Sequence, residues 1–210
     1  MVHTRAQQHM FPDWLRWAAL AWLVIWAAIY SRTWGAANFL HLSDVAVILT
    51  CIGLWSNSAL LISSQAVASL AVDTVWTLDV AWKICSGRHL IGGTEYLFDT
   101  NYPLWVRLIT LFHVAMPLLL LWALHRSGYD RRGWALQSAI ALPVFIASRY
   151  TVPAQNTNFA FADPFFHRAW GPAPLHVTVI FLFMLLVVYL PTHFLLRRIF
   201  PAPHVAITSS

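Results

Sequence analysis

Long apolar stretches separated by short polar segments run along most of the chain. A transmembrane helix needs about 20 predominantly apolar residues to cross a hydrocarbon core of roughly 30 Å. The intervening segments are rich in Gly, Pro, Asn and Asp, which favour turns and loops. Dividing the chain at these segments and at clusters of charge predicts six membrane spans, at residues 13–30, 40–56, 58–82, 103–125, 133–150 and 172–196.

The second and third spans are separated only by Ser56, Asn57 and Ser58. A single helix from 40 to 82 would far exceed the membrane thickness, so we predict a tight turn at this point. The chain is therefore expected to form a single transmembrane domain over residues 1–210. Its predicted fold class is all-α, a polytopic transmembrane bundle of six helices.

The composition agrees with a protein that has the bilayer as its solvent. Apolar residues make up 59% of the chain and charged residues 10%, and the mean hydropathy is +0.62, which separates it from ordinary soluble domains. The net charge of +5 comes from basic residues at the ends of apolar stretches, so we interpret them as topology signals and expect no nucleic-acid partner. The two cysteines lack metal-site spacing, and no disulfide or structural zinc is expected.

An even number of spans puts both termini on one side of the membrane. The densest cluster of basic residues in a short loop, Arg126, Arg131 and Arg132, lies on that same side. The positive-inside rule then predicts cytoplasmic termini. The first apolar stretch is too long for a signal peptide and lacks a small-residue cleavage site before Arg32, so it should remain as the first span. We expect a multi-pass plasma membrane protein of the bacterial inner-membrane type.

Ionisable side chains at membrane depth are costly, and they are functional candidates by default. We measured depth from the residue that marks the outer end of each span, at about 1.5 Å per helical residue. On this scale Ser43, Asp73, His113 and His176 lie roughly 13, 15, 9 and 9 Å below the outer interface. They belong to four different spans. The sequence therefore predicts a shared polar chamber in the outer half of the bundle.

Two other pairs of polar side chains in the spans could serve local structure. His41 and Asp44 are three residues apart on one helix face, where they could bond each other or a neighbouring helix. Asp79 lies four residues before Lys83 and is expected to form an ion pair with it.

Other candidates also have structural interpretations. Arg149 could lie at the headgroups or bind an anionic lipid, and Ser43 could be a small packing residue. Pro117 frees a backbone carbonyl that His113 could satisfy, but His113 stands in an otherwise apolar stretch and we favour a functional role for it. Two histidines near the C-terminus are interpreted as structural: His193 and His204.

These residue types permit nucleophilic acyl transfer. A serine hydroxyl is a weak nucleophile until a base takes its proton, and a neutral imidazole in an apolar pocket suits that task. Asp44 or Asp73 could orient the imidazole. Side chains that could stabilise an oxyanion lie near the end of the fifth span: Arg149, Asn156 and Asn158. The sequence contains no GxSxG elbow, so the pairing of Ser43 with His113 depends on depth and residue type.

Three motifs resemble a known family. They are FLHLSDVAVILTCIGL at 39–54, LFHVAMPLLLLWAL at 111–124 and NTNFAF at 156–161, followed by GPAPLHV and VVYLPTHFL. They are similar to a bacterial integral membrane family of the YwaF type, which resembles in turn the eukaryotic androgen-induced lipid hydrolases and an ether-phospholipid acyltransferase. The resemblance covers most of residues 36–198.

This resemblance implies intramembrane hydrolysis or transfer of a fatty-acyl group by a Thr or Cys nucleophile and a His. The His position corresponds to His113, followed by Pro117. Laying the LHLC-like pattern of the family on this chain puts its Cys at Ser43. Aligning the androgen-induced pattern on Asp44 instead puts its Thr at His41, which has no hydroxyl. The identity of the nucleophile therefore stays open between these alignments.

Three functions are compatible with this pattern. The preferred prediction is an acyl-ester hydrolase or acyltransferase acting on a membrane lipid, with no metal or cofactor and no predicted oligomeric state. Its catalytic candidates are Ser43, His113, His41 and Asp44. Its substrate-binding candidates are Asp73, Arg149, Asn158 and His176. The alternatives are a metal-dependent hydrolase with His41, Asp44, His113 and His176 as ligands, and a non-enzymatic transporter or a lipid- or cofactor-binding bundle.

Overall fold

The computed structural model describes residues 10–203, and His204 lies outside them. Every regular element in that range is helical, which confirms the predicted all-α bundle of six helices. The α-helical segments are α1 (Asp13–Thr33), α2 (Leu42–Trp55), α3 (Ala59–Ser86), α4 (Leu104–Leu108), α5 (Phe112–Ser127), α6 (Gly133–Ser148), α7 (Ala173–Phe183) and α8 (Leu190–Ile199).

Two of the six helices are composite. A 3-10 turn joins α4 to α5, and a π-helical segment joins α7 to α8. Four helices are long and apolar enough to cross a membrane: Asp13–Thr33, Ala59–Ser86, Leu104–Ser127 and Ala173–Ile199. The other two, α2 and α6, are apolar but have only 14 and 16 residues. These helices are consistent with a multi-pass membrane protein.

Helix α2 is short because the chain changes direction before it begins. The chain leaves α1 through Gly35, whose φ of 80° suits glycine, and forms the 3-10 helix Ala36–Leu40 before His41 starts α2. At the other end, Arg16 and Trp55 each donate a hydrogen bond of 2.9 Å to the other's backbone carbonyl. We call the side of the bundle on which Arg16 and Trp55 lie the inner side, and the opposite side the outer side. Counted from Arg16 along α1 and from Trp55 along α2, at about 1.5 Å per residue, α2 begins about 6 Å below the outer end of α1.

Helix α3 is the central element, and it packs against α2, α5 and α6. Its buried surface is rich in small residues that let backbones approach closely: Ser63, Ser64, Ala66, Ala68 and Ser69. At the start of α6, a side chain on Gly133 would place its Cβ only 2.8 Å from the Ser63 Cβ. Small residues at such contacts allow the close van der Waals packing that stabilises helices inside a membrane.

Aromatic side chains tie α1 to the start of α5. Trp26 lies edge-on to Phe112, with ring centroids 6.0 Å apart, and close to Tyr30 at 4.6 Å. All three side chains are buried. Aromatic pairs in such arrangements add to the stabilisation by burial, and here they hold the first turn of α5 in place.

Asp79 ties the outer loop 87–103 to α3. Its carboxylate accepts hydrogen bonds from the three backbone N–H groups of residues 90–92, at 2.7–3.1 Å, and it also contacts His89 and Thr94. The predicted ion pair with Lys83 is wrong, because the Lys83 ammonium donates to a backbone carbonyl at the end of α3. Asp79 therefore satisfies three backbone N–H groups of the loop.

Asp163 organises the second outer loop, residues 149–172. One carboxylate oxygen accepts the N–H groups of Phe165 and Phe166, at 2.9 and 2.7 Å. Burial raises the pKa of Asp163, but these bonds and that from the Arg168 N–H outweigh burial, and the pKa is below its ordinary value. The two loops together cover the outer end of the bundle near the start of α2.

Candidate functional site

A buried histidine and carboxylate meet between α3 and α5. The Nδ1 atom of His113 lies 2.8 Å from Oδ1 of Asp73, and the two residues are 7% and 1% exposed. The depth argument placed both in one chamber, and the structure brings these two together. A carboxylate inside a bundle is stable only when it is hydrogen-bonded, and His113 supplies that bond.

Aromatic rings hold the His113 imidazole in one orientation. It stacks between Trp76 and Phe112, with centroid distances of 4.6 and 4.2 Å. The Trp76 indole N–H donates to the Tyr96 hydroxyl at 2.8 Å. Burial raises the pKa of Tyr96, so this phenol stays protonated. Packing on both rings and the bond to Asp73 together favour this orientation of the imidazole.

The pair with Asp73 decides which nitrogen of His113 carries the proton. When Asp73 is ionised its carboxylate can only accept, which makes Nδ1 of His113 the donor and assigns Nε2 as an acceptor. Nε2 makes no hydrogen bond with any residue in the range 10–203, and it retains some accessible surface. In that tautomer the arrangement orients Nε2 in an apolar setting, as a general base requires.

The start of α2 lies close to this pair. The His41 imidazole is close enough to His113 for the two to interact electrostatically. Tyr96 likewise interacts with the carboxylates of both Asp44 and Asp73. Asp44 is 2% exposed and accepts a hydrogen bond of 2.8 Å from the Asn38 amide. The carboxylate thus fastens α2 to the preceding 3-10 helix, and no hydrogen bond joins it to His41 within the described residues.

Ser43 lies in the first turn of α2 and is half-buried. Its hydroxyl makes no hydrogen bond with any described residue, and so none with His113. Its backbone N–H also donates to no residue that the structure describes. Catalytic hydrogen bonds are often long before substrate binds, so the missing bond does not by itself exclude Ser43 as the nucleophile.

Asn158 and Arg149 hold the outer loop in place. The Asn158 amide N–H donates to the Leu40 carbonyl at 2.7 Å and to the Ser148 hydroxyl at 2.8 Å, and its oxygen accepts the Leu42 N–H at 3.0 Å. Arg149 donates to a loop carbonyl at 3.2 Å and stacks on a loop phenylalanine. Both were predicted to bind substrate, and the structure gives both partners within the protein.

His176 is buried in the first turns of α7 and bonds the outer loop, not the pair. Its Nδ1 accepts the Trp170 N–H at 3.1 Å, and its Nε2 lies 3.0 Å from the Phe159 carbonyl. Both ring nitrogens are therefore engaged. Among residues 10–203, no group of three or more His, Cys, Asp or Glu side chains is arranged to hold a metal ion.

Sequence reasoning missed the aromatic residues of the site. Trp76 follows Asp73 by three residues and so shares its helix face, a signal that could have been used. Tyr96 lies in a loop, and only the tertiary fold brings it to Trp76.

His193, interpreted as structural, bonds the Tyr129 hydroxyl at 2.8 Å on the inner side.

The apolar surroundings of the site were also unforeseen. A cavity of about 420 Å³ lies between α1, α2 and the composite α4–α5 helix. Phe112 lines this cavity and stacks on His113. The His113 imidazole is therefore next to a space with a mostly apolar lining.

Comparison with known proteins supplies no relative. No protein-family model, no curated protein and no solved structure matches the chain. The resemblance to the YwaF-type family therefore rests on the motifs in the sequence.

Proposed function

We propose that the protein is an intramembrane hydrolase or acyltransferase that acts on lipid esters. The observation that carries this proposal is the buried His113–Asp73 pair, whose 2.8 Å hydrogen bond leaves Nε2 of His113 without a partner among the described residues. A histidine oriented by a carboxylate is the general-base half of many serine hydrolases. The position of the pair among membrane-crossing helices favours a lipid substrate.

In the proposed reaction, Nε2 of His113 takes the proton of the Ser43 hydroxyl as its oxygen attacks the ester carbonyl. Asp73 stabilises the imidazolium that forms. The imidazolium then protonates the departing alcohol oxygen, which leaves the acyl group on Ser43. In the second step, Nε2 takes a proton from water or from an acceptor alcohol as its oxygen attacks the acyl carbon. The imidazolium then protonates the Ser43 oxygen as its bond to the acyl carbon breaks, which releases the product and regenerates the serine.

The first turn of α2 favours this role for Ser43. Helix N-termini carry unpaired N–H groups and a partial positive charge. The Ser43 N–H has no acceptor in the described part of the chain, so it is available to stabilise the oxyanion of the tetrahedral intermediate. The Leu42 N–H is not available, because Asn158 accepts it.

Ester turnover by the purified protein in lipid nanodiscs tests the proposal. Fluorogenic esters of several acyl lengths are the substrates, and His113→Ala is the test variant. Loss of a positioned general base should lower turnover by about 10²–10⁴-fold. His125→Ala is the matched control, because His125 lies exposed in the last turn of the same helix.

Two results would count against the proposal. Full turnover in His113→Ala would remove the base from the mechanism. The absence of ester turnover in the wild type, with a lipid bound stably to the protein, would favour the alternative of a binding or transport bundle.

A further inference from the structure

The cavity next to the His113–Asp73 pair has the form of a groove. Its volume of about 420 Å³ falls within the roughly 300–1,000 Å³ of small-molecule sites. Its floor is made of buried side chains from α2 and from the start of α5: Val47, Thr50, Leu54, Phe112 and Met116. No charged side chain of the described residues lines it. The groove therefore suits a hydrocarbon.

Three alanines create the space. Ala18 and Ala19 line the groove from α1, and Ala115 lines it from α5. Ala18 and Ala115 are exposed, so the groove opens sideways between α1 and the α4–α5 helix. Both of these helices are long and apolar enough to cross a membrane. In a bilayer, this opening faces the acyl chains of lipids.

The groove also has a direction relative to the site. On the side nearer the pair, Phe112 lines the groove and stacks on His113, with ring centroids 4.2 Å apart. Val47 lies one turn below Ser43 on α2. Leu54 lies at the other end, next to the inner turn between α2 and α3. Val47 and Leu54 are separated by about 10 Å along the helix axis, so the groove leads from the site towards the inner side.

We propose that this groove binds the acyl chain of the lipid ester, with the ester group at His113 and the methyl end of the chain towards Leu54. The position of the ester rests on the proposed function. Binding of the chain itself does not depend on catalysis, so the two can be tested separately.

Photolabelling in nanodiscs of phosphatidylcholine measures the binding directly. The probes are two palmitic acid analogues with a diazirine near the carboxyl end or near the methyl end. The first should label the segment 108–112 and α2 near Val47, and the second should label α2 near Leu54 and α1 near Leu15. An excess of palmitic acid should compete with both probes, and peptide mass spectrometry locates the labels.

A pair of variants tests the groove itself. Ala115→Phe fills the groove and should remove most of the competable labelling. Ala28→Phe is the matched control, because Ala28 is an exposed alanine on α1 that does not line the groove, and it should keep wild-type labelling. Ala18→Phe fills the groove from the opposite wall and replaces Ala115→Phe if that variant does not fold.

Several results would overturn the inference. These are labelling that palmitic acid does not compete with, labelling spread over all lipid-facing helix surfaces, and labelling unchanged by either filling variant. Cross-links between two copies of the chain at the groove would assign it to self-association instead. Competable, groove-directed labelling in a protein that hydrolyses no ester would leave the groove assignment intact and reject the proposed function. Ester hydrolysis without such labelling would do the reverse.

Discussion

Replacing Asp73 with asparagine removes the negative charge of the site and keeps its shape. The amide has nearly the same volume as the carboxylate and can still hydrogen-bond the His113 Nδ1 atom, which lies 2.8 Å from the carboxylate in the structure. What the variant loses is the negative charge next to the imidazolium that forms during the reaction. It can also donate to Nδ1 and so select the wrong tautomer of the ring.

The size of the effect follows from Coulomb's law. Two unit charges about 4 Å apart attract each other by about 4 kcal/mol at an effective dielectric constant near 20, the value that best describes protein interiors. Since about 1.4 kcal/mol corresponds to a factor of ten in rate, Asp73→Asn should lower ester turnover by roughly 10³-fold. Both side chains are buried, so solvent does not screen this interaction strongly.

The assay is ester turnover in nanodiscs, with thermal unfolding as a check that the fold is kept. The double variant Asp73→Asn with His113→Ala should be little slower than His113→Ala alone, because residues that act as a unit are strongly non-additive. Turnover within a few-fold of the wild type in Asp73→Asn would refute the reasoning. Independent, multiplying effects of the two substitutions would refute it as well.

Three further predictions concern the nucleophile, the loop and the topology. Ser43→Ala should abolish both ester turnover and labelling by a fluorophosphonate probe, and retained turnover would exclude Ser43 as the nucleophile. Asn158→Ala should destabilise the protein by about 1–3 kcal/mol, because it removes three part-buried hydrogen bonds between the outer loop and the helices, and a thermal transition unchanged from wild type would contradict this. In intact cells a cysteine at Arg131 should react only with membrane-permeant reagents, whereas one at Arg88 should react with impermeant reagents; the opposite pattern would invert the orientation.

The six-helix fold was predictable because the lengths of the apolar stretches define it. The turn at Ser58 is an example. The predicted spans 40–56 and 58–82 correspond to Leu42–Trp55 and Ala59–Ser86 in the structure, and Ser58 caps the second of these by accepting the Leu61 N–H. The shortness of α2 was not predictable, since its start depends on the 3-10 helix before it and on the loop that Asn158 fastens to it.

The candidate site was predictable in depth but not in pairing. Counting residues along the helices placed Asp73 and His113 in the same outer half of the bundle, where the structure joins them. Whether Asp44 or Asp73 would orient the imidazole depends on the rotation of α2 and α3 about their axes, which residue counting does not determine. The same limit applies to His176, which lies at the estimated depth but bonds the outer loop.

The groove had no signal in the sequence. It exists because alanines of α1 and α5 face each other across a gap, and alanines are common on lipid-facing surfaces as well. Only the relative position of the two helices shows that Ala18 and Ala115 lie on opposite walls of one space. An arrangement of this kind requires the tertiary structure.

The central claim is that Nε2 of His113 faces the reacting atoms at Ser43. An experimental structure of the protein after reaction with a long-chain lipid phosphonate tests it most directly. The account predicts phosphorus bonded to the Ser43 hydroxyl oxygen and a phosphonate oxygen at hydrogen-bond distance, about 2.6–3.2 Å, from Nε2 of His113. A phosphonate attached to another residue, or a His113 ring that faces lipid, would contradict the account.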